Sequence, residues 1–227
     1  MHVRKRLLPI AILLAPATAT TAVAGARPTV ATNGRCYLVR QHVGITGTGF
    51  APSRTYDVAV DGINFGMGKT ESNGGFTASL LPGGLGANIV QEVHVLSATD
   101  GTNSTRTTFT VTRTTGARIL TGAGAATTLR GRFQVWGFGL GGVQSPLYEV
   151  PSVGLRVYVH YVAPHQHVRA TVALGRTGGQ CGYLKTAARR VFPFVPAPGA
   201  WTLQVDTSSS YSRHPLGPVA KIAVRVA

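Results

Sequence analysis

The sequence predicts an all-β protein built as two tandem β-sandwiches behind a cleaved leader, and three observations carry that prediction. Apolar and polar residues alternate with a period of two over short runs, as in Tyr56-Asp57-Val58-Ala59-Val60 and Ile222-Ala223-Val224-Arg225-Val226, the pattern of half-buried strands. Between the runs stand Gly, Pro, Asn and Asp, the residues of tight turns. No stretch after the leader shows a helical period. With 227 residues, 29 glycines and 44% hydrophobic residues, the chain has room for one large or two small domains and enough apolar surface to fold.

The leader comes first in order. Arg4, Lys5 and Arg6 make a positive start, Leu7 to Leu14 an apolar stretch, and Ala22-Val23-Ala24 or Ala24-Gly25-Ala26 a small-residue cleavage site. This is the build of a secretory signal peptide over residues 1–26. The apolar run, broken by Pro9 and Pro16, is too short to span a bilayer, no second run of that length follows, and no cysteine sits at either cleavage site to take a lipid there. The mature protein is expected to be secreted, extracellular or associated with the cell envelope, without a membrane-spanning segment. The excess of arginine over lysine, with abundant alanine and glycine, points to a GC-rich bacterial genome.

Residues 27–114 read as the first sandwich. Cys36 to Val39 and Val43 to Thr46 are short strands ahead of a Gly47-Thr48-Gly49-Phe50 turn. Thr55 to Val60 points Tyr56, Val58 and Val60 one way. Asp61-Gly62 and Asn73-Gly74 tolerate positive φ, as tight strand-to-strand turns require, so a succession of hairpins is expected here. Phe76, Ala78 and Leu80 resume an inward set. Ile89 to Ser97 separates Val93 and Val95 from Glu92, His94 and Leu96 on the opposite face. Asp100-Gly101 turns the chain into Thr105–Arg113, with Phe109 and Val111 inward and Thr108, Thr110 and Thr112 outward. Thr114-Thr115-Gly116 marks the boundary.

Residues 115–227 read as the second sandwich. Arg132 to Trp136 is a strand closing on Gly137-Phe138-Gly139. Leu155–Val162 and His167–Leu174 form the clearest hairpin, with Leu155, Val157, Val159 and Tyr161 facing Val168, Ala170, Val172 and Leu174 about a turn containing Pro164. Arg190–Phe194, Trp201–Val205 and Ala220–Val226 complete the set, Arg190–Phe194 as an edge strand because Pro193 cannot donate to a ladder.

The string Gly47-Thr48-Gly49-Phe50-Ala51-Pro52, then Tyr56 to Gly62, then Asn73-Gly74-Gly75-Phe76 resembles the bacterial immunoglobulin-like modules of secreted and cell-surface proteins. The resemblance covers roughly residues 43–113 and extends only loosely to the second half. It implies immunoglobulin-like sandwiches, an extracellular or envelope setting and no inherited active site. Unlike antibody domains, the chain has one cysteine per half, Cys36 and Cys181. Export and an even count predict a bridge between them, stapling the halves together; buried thiols or a bridge between two chains are the alternatives.

Chemical motifs are few. Gly137-Phe138-Gly139-Leu140-Gly141-Gly142 matches a dinucleotide fingerprint, but Val143-Gln144-Ser145-Pro146 offers no helix to receive a pyrophosphate, and a glycine turn is expected. His160, His165 and His167 are metal candidates on and beside the hairpin, with Glu149 the nearest acid; the spacing matches no established metal pattern. Serine, histidine and aspartate all occur without a Gly-x-Ser-x-Gly elbow. Asp57 and Asp61 share a strand face, as a glycosidase pair would, yet Asp61 is explained by its turn. No cofactor is expected.

Charge says more. Twenty-two basic residues stand against seven carboxylates, a formal net charge of +15. Such a surface attracts polyanions without specifying one. Arg189 and Arg190, beside Phe192 and Phe194, are the most concentrated contact candidates. The function expected is therefore a secreted, non-enzymatic binding or structural module, its anionic partner a cell-wall polymer or another polyanion. The alternative is a secreted hydrolase or a metal-binding protein using His160, His165 and His167; it requires a concave site with at least two convergent titratable groups.

Overall fold

The computed structural model describes residues 27–121, 128–142 and 154–227, all of them in strands, turns and two short 3-10 segments. The expected leader and Glu149 lie outside the described residues. The strands of the first part are β1 (Thr29–Thr32), β2 (Cys36–Leu38), β3 (Val43–Thr48), β4 (Thr55–Val60), β5 (Ile63–Lys69), β6 (Phe76–Leu80), β7 (Gln91–Thr99) and β8 (Ser104–Thr112). Those of the second are β9 (Gly116–Thr121), β10 (Arg130–Trp136), β11 (Arg156–Val162), β12 (Val168–Arg176), β13 (Leu184–Lys185), β14 (Arg189–Arg190), β15 (Gly199–Asp206) and β16 (Ala220–Val226). Among the described residues no helix is long and apolar enough to cross a membrane.

A three-stranded sheet, β1-β3-β6, faces a five-stranded sheet, β2-β8-β7-β4-β5. Alternation along each strand puts Val43, Ile45 and Phe76 of one against Val58, Leu96, Phe109 and Val111 of the other, all buried. Burying each such side chain contributes about 1.5–3 kcal/mol. Tyr56 lies on Phe76 with ring centroids 4.0 Å apart, so the two sheets are tied by an aromatic pair.

Asp61 (φ 51°) and Gly62 (φ 81°) close β4 onto β5 as a two-residue hairpin, the backbone hand that suits twisted strands. Asn73-Gly74 is not a hairpin turn. β5 pairs with β4 and β6 with β3, so this turn carries the chain from one sheet to the other. The Gly47–Phe50 turn meets it: the Phe50 N–H donates to the Gly74 carbonyl at 3.1 Å. Gly74 has φ 77°, and a Cβ there would stand 2.0 Å from the Phe50 carbonyl oxygen. Only glycine fits. The two glycine–phenylalanine turns thus form one interlocked corner, with the Phe50 and Phe76 rings 5.4 Å apart.

Two expected orientations change. On β7 the buried side is that of Leu96 and Ala98, while Val93 and Val95 are exposed, at 60% and 40%. On β8, Thr110 and Thr112 face outward from the first core and are nonetheless buried. The Cys181 loop covers Thr110, whose hydroxyl donates to the Gln180 side-chain oxygen at 3.5 Å, and Thr112 donates to the Val90 carbonyl. A second layer that alternation cannot reveal lies over this edge.

In the second part β9, β10, β13 and β14 make one sheet and β12-β11-β15-β16 another. They enclose Phe133, Val135, Val157, Val159, Tyr161, Trp201, Leu203 and Val205. The expected edge strand Arg190–Phe194 reduces to the two-residue β14; beyond it the chain bends so that Val191 and Phe192 enter the core. Phe192 and Phe194 meet Trp201 at 5.4 and 5.5 Å, and that aromatic cluster outweighs continued pairing. Gly137–Gly142 holds a short 3-10 segment, Phe138–Gly142, with Phe138 buried. A segment under eight residues, its Gly139 N–H given to the Cys181 carbonyl, is no pyrophosphate cradle.

Cys36 and Cys181 form a disulfide within the chain, their Cα atoms 5.2 Å apart. It joins β2 to the loop after β12, and so fastens a strand of the first core to the wall of the second. The Trp136 indole donates to the Thr114 carbonyl at 2.9 Å, and Arg118 donates to the Asn88 carbonyl at 3.1 Å.

Candidate functional site

The outer face of the β12-β11-β15-β16 sheet carries a row of polar side chains laid straight across four strands. His160 on β11 is opposite Thr171 on β12 and Gln204 on β15, and Gln204 is opposite Lys221 on β16. A period of two puts these residues on the face away from Val159 and Leu203, and would leave them in water. They are not all in water: His160, Gln204 and Asp206 are at most 1% exposed. The segment 207–217 folds over them, the Tyr211 ring set edge-on to His160 at 5.7 Å.

Asp206 holds that segment down. One carboxylate oxygen accepts from Ser208 N–H at 2.9 Å and contacts His160 Nε2 at 3.1 Å, and the other accepts from Gln204 Nε2 at 2.9 Å. Gln204 Nε2 also donates to the Ser212 carbonyl at 2.8 Å. His160 Nδ1 lies 2.8 Å from the Thr171 hydroxyl. Both ring nitrogens of His160 are thus engaged.

This corrects the metal candidate. His160 does not share an open face with His167; it is enclosed beneath Tyr211, while His165 and His167 are exposed at the hairpin tip, His165 in a positive-φ turn. Among the described residues no three His, Cys, Asp or Glu side chains converge. Asp57 and Asp61 do not act as a pair either. Asp57 accepts from Asn64 at 3.3 Å, and Asp61 binds His94 Nδ1 at 2.7 Å and the Val95 N–H at 2.8 Å.

Between the sheet face and the covering segment is a cleft of about 330 Å³, lined by Gln166, Thr202, Gln204, Tyr211, Arg213 and Lys221, with His214 at its rim. Arg213, His214 and Lys221 are exposed. No carboxylate is among the lining residues. Sequence reasoning passed over this site because its parts are spread over Gln166, β15, β16 and the loop between those strands. The one local signal was Tyr211-Ser212-Arg213-His214, an aromatic and two bases in a serine-rich connection. Arg189 and Arg190 lie elsewhere: Arg189 is half-buried and donates to the Ala173 carbonyl at 3.3 Å, and Arg190 is exposed. Tyr161, whose hydroxyl donates to the Val191 carbonyl, is pushed up to about 12 by burial, against the pull of the Arg189 guanidinium.

The four aspartates Asp57, Asp61, Asp100 and Asp206 are each hydrogen-bonded within the fold. Asp100 accepts from the Ala51, Thr102 and Asn103 N–H groups at 2.8, 2.9 and 2.6 Å. The Ala51 N–H foremost, with the Asn103 and Thr102 donors, outweighs burial and holds its carboxyl well below the usual range. Burial works against the Asp61 carboxylate too, but the Val95 N–H and His94 hold it below its ordinary value. Groups depressed in the folded state stabilise it above their unfolded pKa, about 3.9 for Asp. That contribution drains away as pH falls through the folded values. Stability should therefore decline on acidification below about pH 5. In Asp100→Asn the decline should be shallower, as measured by urea midpoints from pH 6 to 2; equal slopes would remove Asp100 from the account.

The fold and site describe an all-β protein with a donor-rich, cation-rimmed cleft on one sheet. No family model matches the chain, and no curated protein matches it. Among solved structures it is similar to one described as structures of Clostridium thermocellum CbhA fibronectin(III)-like modules, at 10% identity and a TM-score of 0.29, over 87% of this chain and 95% of that one. So distant a likeness adds nothing to what the sheets themselves establish.

Proposed function

We propose that the chain is a secreted, non-enzymatic module of the cell envelope or extracellular space, two tandem immunoglobulin-like sandwiches over residues 27–114 and 115–227, that contacts polyanions through its basic surface. One observation carries this reading. Among the described residues the two carboxylate–cation contacts both involve histidine, His94 with Asp61 and His160 with Asp206, and no arginine or lysine lies within salt-bridge distance of a carboxylate. Asp100 and Asp206 are buried within the fold and Asp57 and Asp61 are hydrogen-bonded to neighbours, while sixteen arginines and lysines are exposed. A surface left so uncompensated gains free energy by displacing the counterions of a polyanion.

The leader-like start and the Cys36–Cys181 bridge support export, since such bridges persist in oxidising compartments. A hydrolase or metal-binding reading finds less support, because His160 is taken up by Asp206 and Thr171. Expression with the leader intact tests the proposal. Intact mass should show extracellular protein cut after Ala24 or Ala26, and the protein should co-sediment with anionic cell-wall polymer. Extracellular protein retaining Met1 to Ala22, or no association with the wall polymer, would contradict it.

A further inference from the structure

We propose that the cleft between the β12-β11-β15-β16 sheet and residues 207–217 binds a single anionic, hydroxyl-bearing unit, an acidic sugar or a polyol phosphate, of an acidic polymer. The inference rests on the polyanion reading above and narrows it to one site and one ligand chemistry.

The cleft's lining sorts by chemistry. Arg213 and Lys221 supply fixed positive charge from opposite walls, the covering loop and β16, with His214 beside Arg213. Among the described residues neither Arg213 nor Lys221 has a carboxylate partner, so both are placed to take one from a ligand. Charge-assisted contacts of this kind are about twice as strong as neutral ones. The remaining lining is neutral, polar except for Val162 and the Tyr211 ring. Both hydrogens of Gln204 Nε2 are spent on Asp206 and the Ser212 carbonyl, which leaves its side-chain oxygen as an acceptor. Thr202 and Gln166 add hydroxyl and amide groups, and Tyr211 an aromatic wall.

Each class of ligand fits this differently. A cation meets only cations. A neutral sugar leaves Arg213 and Lys221 unused. A bare anion satisfies them and leaves the acceptor of Gln204, Thr202 and Tyr211 idle. An anion that also carries hydroxyls engages every group. The volume, about 330 Å³, is at the small end of ligand sites and suits one unit rather than a run of them. Nucleic acid fits poorly, because single strands are held along a groove with successive aromatic platforms, and here there is one aromatic. Position is preorganised: Asp206 and Gln204 pin Ser208 and Ser212, so Tyr211 and Arg213 are held in place before a ligand arrives.

The anionic group can be a carboxylate, as in a uronic acid, or a phosphate on a sugar or polyol. The secreted protein is titrated calorimetrically at about 0.15 M salt, where long-range attraction is largely screened. The probes are a glucuronate-containing disaccharide, a glycerol-phosphate dimer, inorganic phosphate, a neutral glucose disaccharide and a short oligonucleotide. One of the first two should bind saturably at one site, tighter than inorganic phosphate, and which of them binds tighter identifies the source. The neutral disaccharide should not bind. Arg213→Ala and Lys221→Ala should each weaken that binding about ten-fold or more, and Tyr211→Ala should weaken it too. Because Arg213 and Lys221 are exposed, their variants should melt with the wild type, and Arg106→Ala on β8 should bind as wild type does.

Equal binding of the neutral sugar, phosphate as tight as the anionic sugar, preference for the oligonucleotide, or Arg213 and Lys221 variants that bind unchanged would each overturn the inference. If no small probe binds saturably while long acidic polymer still does, the cleft inference falls and the general polyanion reading stands. If neither binds, both fall.

Discussion

Replacing both Cys36 and Cys181 by alanine, or reducing the bridge, should lower the unfolding free energy by about 4–5 kcal/mol in the chain-entropy model. The bridge spans 145 residues of sequence, and the longer the loop closed in the unfolded chain, the more entropy the bridge removes from it. Part of the effect should be local. Cys181 is fully buried, its carbonyl receives the Gly139 N–H, and Gln180 beside it receives the Thr110 hydroxyl. Loss of the bridge should therefore loosen the packing of the β2 edge against the Phe138–Gly142 segment before either core opens. Urea midpoints with and without reductant measure the first effect, and amide exchange at Gly139 and Thr110 the second. Denatured, unreduced protein should take up no thiol label. An unchanged midpoint, or two labelled cysteines per chain, would contradict the account.

Asp206→Ala should be the most damaging single change on the outer sheet face, at about 3–5 kcal/mol, because it strips a buried charged group from partners that stay buried. Three groups lose a partner together: His160 Nε2 and Ser208 N–H lose their carboxylate oxygen, and Gln204 Nε2 keeps only the Ser212 carbonyl. The loss should propagate. Without Asp206 the start of the covering segment loses the anchor at Ser208, so Tyr211 should leave its place over His160 and Arg213 should shift with it. Asp206→Asn keeps an acceptor for Ser208 and His160 but sets an amide against Gln204 Nε2, and its cost should fall between wild type and alanine. Thermal unfolding gives the stability, and Tyr211 side-chain mobility by NMR gives the position of the segment. A stable Asp206→Ala protein with Tyr211 still fixed would show that the buried network does not position the cleft.

How much of this was legible in the chain varies by element. Strands with clean alternation were read with their inward faces, as with Tyr56, Val58 and Val60 or Val157, Val159 and Tyr161. The Asp61-Gly62 turn announces itself because few other dipeptides accept positive φ at both positions. β5 has no legible alternation because Gly66 and Gly68 interrupt its pattern, and Gly68 makes room for Tyr56, whose hydroxyl and ring would stand 2.8 and 2.9 Å from a Cβ there. The boundary expected at Thr114-Thr115-Gly116 runs into the start of β9, because Gly116 resembles a turn residue; its task is to admit the Trp136 ring, 2.4 Å from where a Cβ would stand. The parallel pairing of β2 with β8 has no local signature, since register between distant strands is decided by packing rather than by turns.

The cleft was illegible for a related reason. Alternation marks Gln204 and Asp206 as outward, and outward is read as solvated. Burial came from a second layer, residues 207–217, whose serines and histidine look like any surface loop. Only the three-dimensional meeting of β15, β16 and that loop puts Lys221 and Arg213 on one cavity. The disulfide, in contrast, needed only parity and compartment, and the geometry then supplied its place.

The central claim is that exposed arginines and lysines without carboxylate partners contact a polyanion through charge. The most direct measurement is the affinity of the protein for an anionic wall polymer over a series of salt concentrations. Log K should fall linearly and steeply with log salt, the slope reporting how many counterions the exposed cations release. Binding that persists unchanged into molar salt would contradict the account.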